Sequence, residues 1–585
     1  MNSPETSRLT RGLDYYKATM SQVEFANIPD EIVTFALKNR SPSLLSDYCS
    51  PDELRTRLND LRAGWQPEEV AYLASLTQQT DGQTAMFNPA FLDYLMDNSL
   101  PDVEITLDER GDLAVRATGP APLVTFWETV IMSEINEIYF RNLLIAQGRT
   151  LSNIYEEGNR RLDDKIARLR ERPDIKFSDF GTRRRFSYDW QRHVVARVAQ
   201  ELPDNFLGTS NIALAHELGL APIGTFAHEL PMIYAALADT GKTTPLLGHG
   251  AMLRDWRATY GDNLSTALTD TFGSEFFFTD FTPEQAHDWK ALRHDSGDPI
   301  VFGDRVIEFY QQLGIDPTTK TIVFSDGLDI DTIIKLADYF KDRVSVIFGW
   351  GTTLTNDLGL KANNFVMKAV AVGETPTVKL SDVAGKHTGP EAVVARYERD
   401  VAYARSLGAV GWQRYCADLL AKRQEKLWHV GANKAADAVI INGNRVRLIW
   451  RAKDQCWALP GGFVDEGEDS RTAAKREAYE ETGFVAETDG DVVYSGRVDD
   501  PRNSGDRWIE TDAYVFLTGQ EDGQAGDDAA DICWAPLDNL PPLYGSHREI
   551  IARAVSALVS QQVLQAREDQ GYVGIFSGTA HPRTA

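Results

Sequence analysis

The sequence predicts an α/β protein: an α+β platform, an α/β barrel and, after a helical connection, a further α/β fold. Three observations predict it. The chain has 585 residues, 43% hydrophobic and 25% charged, more length than one core usually organises. From about residue 130, helical stretches alternate with short apolar runs that end in polar, glycine-containing loops. Near residue 435 that rhythm stops, and a strand, Asn-Gly turn, strand pattern begins.

In chain order, residues from Ile32 to Val124 mix amphipathic helix, as in PDELRTRLNDLRAGW, with hairpin strands, as in VEITLDERGDLAVRA, where Gly111 supplies the turn. This is the platform, about 1–130, completed by 376–408. The barrel is expected over about 131–375. SNIYEEGNRRLDDKIARLRER reads as helix, and the runs KFSDFGTRR, APIGTFAHE, KALRHDSGD, TIVFSDGLD and VSVIFGWGTTL read as strands with functional loops. In a closed barrel those loops converge on one mouth. The same pattern also accommodates an open doubly wound sheet. Residues 409–434 read as a helical linker and 435–568 as the second fold, starting with ADAVIINGNRVRLIWR. Residues 569–585, with weak periodicity, read as a loose tail.

Composition narrows the function. Sixty Lys and Arg stand against 86 Asp and Glu, a formal net charge of -26, which repels nucleic acid and anionic membranes. Phosphate ligands must therefore be held by local arginines, backbone NH groups or a divalent metal. The four cysteines show no metal-ligand or disulfide spacing, which fits a reducing cytoplasm. No apolar run approaches the roughly 20 residues of a membrane helix, and no signal core stands at the N-terminus.

The barrel loops are specific about ligand type. Asp295 and Asp298 flank a Ser-Gly turn, Asp326 and Asp329 lie in SDGLD, and Gly349, Gly351 and Thr352 offer groups suited to phosphate. Arg183, Arg184, Arg185 and Arg293 add positive charge. Carboxylates for a ribose or Mg2+, beside glycines and arginines for phosphates, describe a sugar-phosphate site.

DYYK, DFGTRRRF, LGTSN, IGTFAHE, LRHDSGDP, VFSDGLD, FGWGT and VKLSDVAGK occur in the order found in nicotinate phosphoribosyltransferases, and the resemblance covers roughly residues 8 to 405. It implies a type II phosphoribosyltransferase fold, working as a homodimer, that joins nicotinate to the ribose of phosphoribosyl pyrophosphate. It implies that Tyr16, from a partner subunit, and Phe180 stack the pyridine ring. It implies that Arg183, Arg293 and Ser210 meet acceptor and phosphates, and that Asp295, Asp326, Gly349 and Gly351 meet the ribose and pyrophosphate. Arg184 and Arg185 are read as structural. His228 is the position the resemblance marks as a phosphohistidine, formed from ATP and coupling hydrolysis to transfer. Arg293 and Asp295 are expected to be essential to the chemistry.

Residues 461–484, GGFVDEGEDSRTAAKREAYEETGF, fit the Nudix box GX5EX7REUXEEXGU at Gly462, Glu468, Arg476, Glu477, Glu480, Glu481 and Gly483. Glu477, Glu480 and Glu481 share one side of a helix, and acids so crowded are suited to Mg2+ with substrate phosphates. Flanking segments, including VDDPRNSGDRWIET and PLYGSH, resemble mitochondrial-type ADP-ribose pyrophosphatases and a related channel-fused sensor domain. This implies an α/β/α sandwich that hydrolyses ADP-ribose to AMP and ribose 5-phosphate, with Asp500, Arg502, Asn503 and Trp508 near the ligand. Gly505 and Asp506 depart from the family's Asp-Asn pair. The expectation is thus a bifunctional cytoplasmic enzyme of NAD salvage. The alternatives are a second domain that only senses a nucleotide, nicotinamide in place of nicotinate, and NADH in place of ADP-ribose.

Overall fold

The computed structural model describes residues 8–78, 80, 82–239, 244–383, 387–424, 431–452, 454–465, 467–503, 507–526, 529–561, 563–566 and 572–574. It divides into two compact units, Met1–Gln413 and Arg414–Ala585. Gly505 and Asp506 lie outside the described residues.

Along the first unit the strands are β1 (Ile32–Asn39), β2 (Val103–Leu107), β3 (Leu113–Pro120), β4 (Lys176–Asp179), β5 (Phe206–Thr209), β6 (Thr266–Leu268), β7 (Ala291–His294), β8 (Thr321–Phe324), β9 (Ser345–Trp350), β10 (Phe365–Val372) and β11 (Thr375–Pro376). The platform sheet is antiparallel, in the order β11-β10-β1-β3-β2. The β2–β3 turn passes through Gly111 at φ 78°, which a side chain would strain.

One boundary is corrected by this sheet. β10 lies within the stretch expected to be barrel, yet it pairs with β1 along Val33–Asn39. FVMKAVAV alternates buried and half-buried residues, the period-two pattern of a sheet with one covered face, unlike the doubly covered barrel strand β7.

The barrel strands pair in parallel in the order β5-β4-β9-β8-β7-β6, an irregular barrel whose β5 and β6 edges are not joined to each other. Parallel strands bring their carboxyl ends to one mouth. Residues 221–228, expected as a strand, form an irregular segment touching β5 by a single bridge at Thr209 and Pro222. Pro222 has no NH for a ladder, and Gly224, at φ 156°, packs against the backbone of Tyr16. The helix Glu391–Gln424 breaks at Gly408, φ 65°, near the end of the first unit.

The second unit contains β12 (Gly431–Asn442), β13 (Arg445–Arg451), β14 (Cys456–Ala458), β15 (Gly461–Phe463), β16 (Asp491–Arg497), β17 (Arg507–Leu517), β18 (Ala529–Pro536), β19 (Leu564–Ala566) and β20 (Tyr572–Gly574). The β12–β13 turn is the Asn-Gly hairpin, with Gly443 at φ 60°. β12 alternates its faces: Val439 and Ile441 pack with the helix His547–Ser560, while Ala436, Ala438 and Ile440 pack with the helix Ser470–Thr482. That is the α/β/α sandwich. Within the expected loose tail, Tyr572–Gly574 pairs antiparallel with Leu564–Ala566.

Candidate active sites

In the first unit a cavity of about 700 Å³ opens at the carboxyl ends of the barrel strands. Its lining includes Tyr16, Phe180, Arg183, Ser210, His228, Arg293, Asp295, Asp326, Gly349 and Gly351, which the fold gathers from positions more than 300 residues apart in sequence.

Phe180 follows β4, and the Arg293 guanidinium stands over its ring, 5.6 Å from the centroid. Gly349 on β9 lies under that ring, where a Cβ would come 2.5 Å from Phe180 Cδ2. Tyr16 lines the cavity of its own chain. Local bonds hold it there: Tyr15 N donates to Ser210 O at 2.6 Å, and Ser210 Oγ donates to Asp14 at 2.6 Å. Ser210 thus fastens this segment to the mouth of β5.

The three arginines separate. Arg183 donates to Glu128 Oε1 at 2.9 Å and lines the cavity. Arg185 turns into the interior, where Gln191 and Glu137 accept from it at 3.3 and 3.4 Å. Arg184 was expected to be structural, yet it too lines the cavity, while bonding to Asn363 O at 3.3 Å. A 3-10 turn at Thr182–Arg184 sends successive side chains in different directions.

Other cations were missed by sequence reasoning. Lys38 and Arg40, on and just after β1, and Lys368 on β10 face the cavity from the platform. In the sequence they look like ordinary polar positions of half-buried strands. Burial, reinforced by Lys379, pulls the Lys368 ammonium down to about 8. Below this floor, Lys17 pairs with Glu128 at 2.6 Å and with Glu229. Burial opposes ionisation of both acids. Lys17 and Arg183 nevertheless hold Glu128 below the usual carboxylate range, while burial and Glu128 push Glu229 up.

His228 precedes the helix Glu229–Ala238 and is buried. Its Nδ1 meets Thr271 Oγ1 at 3.0 Å, and its Nε2 meets Asp295 Oδ2 at 3.0 Å and Lys379 Nζ at 2.9 Å. Burial, with the Lys379 charge adding to it, pushes the imidazole down to about 4, so it is neutral at neutral pH. Asp295 also accepts from Arg293 at 3.0 Å and Ser325 at 2.7 Å. Despite burial, these neighbours keep Asp295 well below the usual carboxylate range. An anionic carboxylate, a neutral imidazole and surrounding cations can position a sugar phosphate and accept a phosphoryl group.

In the second unit a cavity of about 270 Å³ is lined by Gly461, Gly462, Glu477, Glu481, Asp500 and Arg502, among others. Arg476 grips Glu468 with two bonds of 3.0 Å and donates to Glu477 at 2.7 Å and Glu480 at 3.0 Å. Glu481 accepts from Gly461 N at 2.9 Å. Gly462 has no room for a side chain: a Cβ would stand 2.4 Å from Glu477 Oε1. Glu480 belongs to the rim with Arg476, outside the cavity lining.

Asn503 and Trp508 are likewise not part of that lining. Asn503 bridges its own loop, donating to Val498 O and accepting from Ile509 N, both at 2.8 Å. Trp508 donates to Glu510 at 2.9 Å and lies under Arg497. Asp500 and Arg502 form a two-bond pair at 2.9 and 3.0 Å. His547, missed in the sequence, lines the cavity and accepts from Leu459 N at 2.9 Å.

Among the described residues no three His, Cys, Asp or Glu side chains converge as a cage for one ion. The oxygen donors Glu477 and Glu481 in one cavity, and Asp295 and Asp326 in the other, fit Mg2+ held by one or two carboxylates together with substrate phosphates.

The fold and cavities define a phosphoribosyl-transferring barrel enzyme joined to a domain with the Nudix helix. Residues 13–136 match the nicotinate phosphoribosyltransferase N-terminal domain, residues 175–404 the nicotinate phosphoribosyltransferase family and residues 432–554 the NUDIX domain. The nicotinate phosphoribosyltransferase of Vibrio cholerae is 31% identical, with 72% of this chain and 99% of that one covered, at a TM-score of 0.61. That of Porphyromonas gingivalis is 28% identical, with 68% and 99% covered, at a TM-score of 0.60. The chain belongs to the nicotinate phosphoribosyltransferase family and carries a C-terminal NUDIX domain. Among the described residues no helix is long and apolar enough to cross a membrane.

Proposed function

We propose that the first unit transfers phosphoribosyl from phosphoribosyl pyrophosphate to nicotinate, driven by ATP through phosphorylation of His228. The second unit hydrolyses ADP-ribose to AMP and ribose 5-phosphate. The observation that carries the first half is the meeting, in one cavity, of the Phe180–Arg293 pair with the neutral imidazole of His228.

In this reading Tyr16 and Phe180 hold the pyridine ring, with Arg183 and Arg184 drawing its carboxylate. Asp295 and Asp326 take the ribose hydroxyls, and Gly349 and Gly351 present backbone to phosphate. As pyrophosphate leaves C1 of the ribose, the surrounding cations stabilise the departing charge. Mg2+, when bound, neutralises substrate phosphate charge in both cavities. Binding in register with the pyridine nitrogen supplies the rest.

For the hydrolase, Glu477 and Glu481 are the metal-facing carboxylates, Arg476 orients Glu477 and Glu480, and Asp500 with Arg502 borders the ligand. The spacing of the four cysteines, with no disulfide framework in the sequence, fits a reducing cytoplasm as the setting. The homodimer is part of the reading, and sedimentation velocity tests it.

Initial rates of mononucleotide formation with nicotinate or nicotinamide, each with and without ATP, test the transferase half. Nicotinate preference enhanced by ATP is expected; preference for the amide, or indifference to ATP, overturns it. AMP release from ADP-ribose and Mg2+ tests the hydrolase half. Absence of AMP, with transferase rates that respond to ADP-ribose, favours a sensor domain.

A further inference from the structure

Lys379 is assigned no role by the motifs, yet its ammonium is buried beside the group expected to react. It sits just beyond β11, its Nζ 2.9 Å from His228 Nε2 and 3.2 Å from Asp270 Oδ2. The two ring nitrogens of His228 face different surroundings. Nδ1 meets the buried hydroxyl of Thr271, whereas the groups around Nε2, Asp295 and Lys379, line the cavity. An ammonium has only donors, so its contact with Nε2 selects the tautomer with the lone pair there and the ring proton on Nδ1, donated to Thr271, whereas Asp295, an acceptor 3.0 Å from the same nitrogen, draws the proton the other way; the first is the tautomer that turns a nucleophilic nitrogen to the cavity.

We infer that Lys379 is a further catalytic residue, which holds the Nε2 lone pair of His228 in the resting site and moves onto the phosphoryl group once that nitrogen has been phosphorylated. The inference rests on the phosphohistidine reading above. The Nε2 lone pair forms the N–P bond as the bond from the γ-phosphorus to the β,γ-bridging oxygen of ATP breaks, and that electron pair leaves with ADP. The Nδ1 proton stays on the ring, and Asp295, 3.0 Å from Nε2, faces the cationic phosphoimidazole. The ammonium of Lys379 exchanges one acceptor, the lone pair, for another, a phosphoryl oxygen. Asp270 keeps the lysine in reach throughout, and Ser296 Oγ donates to the same Asp270 oxygen at 2.6 Å.

The test begins with wild-type full-length chain labelled by γ-32P ATP, with the phosphohistidine isomer assigned by NMR of the digest. Label on the Nε2 isomer is expected; label on Nδ1 overturns the inference while leaving the phosphohistidine reading intact. No label on His228 overturns both. Lys379→Met is then compared with Lys379→Arg, both checked for a native melting profile. Removing a charge-assisted contact is expected to shorten the phosphoenzyme lifetime by about 10- to 100-fold, with most of it restored by arginine. Equal lifetimes in all three proteins overturn the inference. If Lys379→Met does not fold, Lys379→Gln, which keeps a donor and loses the charge, takes its place: a shortened lifetime with an Nε2 label supports the role, and a wild-type lifetime overturns it.

Discussion

At Gly349 a single hydrogen atom in place of a methyl sets the depth of the slot beside the Phe180 ring, where the proposed function places the pyridine. An added Cβ would lie 2.5 Å from two carbons of the Phe180 ring, and Phe180 cannot retreat without disturbing its place under Arg293. Gly349→Ala is therefore expected to keep the fold and lower kcat/KM for nicotinate by about 100-fold, since displacements near 1 Å carry such costs. Saturation kinetics on the purified variant check this, and an unchanged value would remove Phe180 from the pyridine site. The glycine, the aromatic and the loop carboxylates were legible in the sequence because each stands out from its surroundings at the end of an apolar run. Lys38, Arg40 and Lys368 were not, because a lysine alternating with valine or alanine on a strand has the same appearance whether its open face meets water or a ligand.

The helix Tyr15–Asn27 shows how one element serves both site and core. Tyr16 and Lys17 lie at its first turn, and Glu24, about two turns on, is fully buried with no hydrogen-bond partner for either carboxyl oxygen among the described residues. Burial pushes Glu24 up to about 8, with Lys17 opposing the shift, so it is mostly protonated at neutral pH. A carboxyl whose folded value is raised favours the folded state fully below its unfolded value near 4.5, and that advantage is lost as pH rises through about 8. Glu24→Gln removes this dependence. Its melting temperature should lie near the wild type at pH 5 and exceed it at pH 8, by an amount corresponding to roughly 3–4 kcal/mol. Melting curves at the two pH values decide it; a gap that does not widen with pH means Glu24 does not titrate there. Elements were legible from the sequence where periodicity ran several residues, as in the paired helices and β7 to β9. They failed at residues 221–228, where an apolar run with proline and glycine bends over Tyr16 instead of joining the sheet.

Over the whole chain, each unit closes around its own apolar interior: Trp127, Trp190, Trp256 and Trp289 belong to the first, and Val439, Ile440 and Ile551 to the second. The sequence announced this division through the Nudix box and the change of rhythm near residue 435, whereas the exact junction was hidden in one long helix broken at Gly408. With two separate interiors, the two proposed activities should be removable one at a time. Gly462→Ala puts a Cβ 2.4 Å from Glu477 Oε1, which must displace the carboxylate that Arg476 orients. AMP formation from ADP-ribose is expected to fall about 100-fold, on the same positional argument, with mononucleotide formation within about twofold of wild type. Gly349→Ala should show the mirror image. Both assays on both full-length variants give four rates. If Gly462→Ala also alters nicotinate kinetics, or the response of those kinetics to ADP-ribose, the NUDIX domain is reporting to the transferase, and its cavity serves regulation as well as hydrolysis.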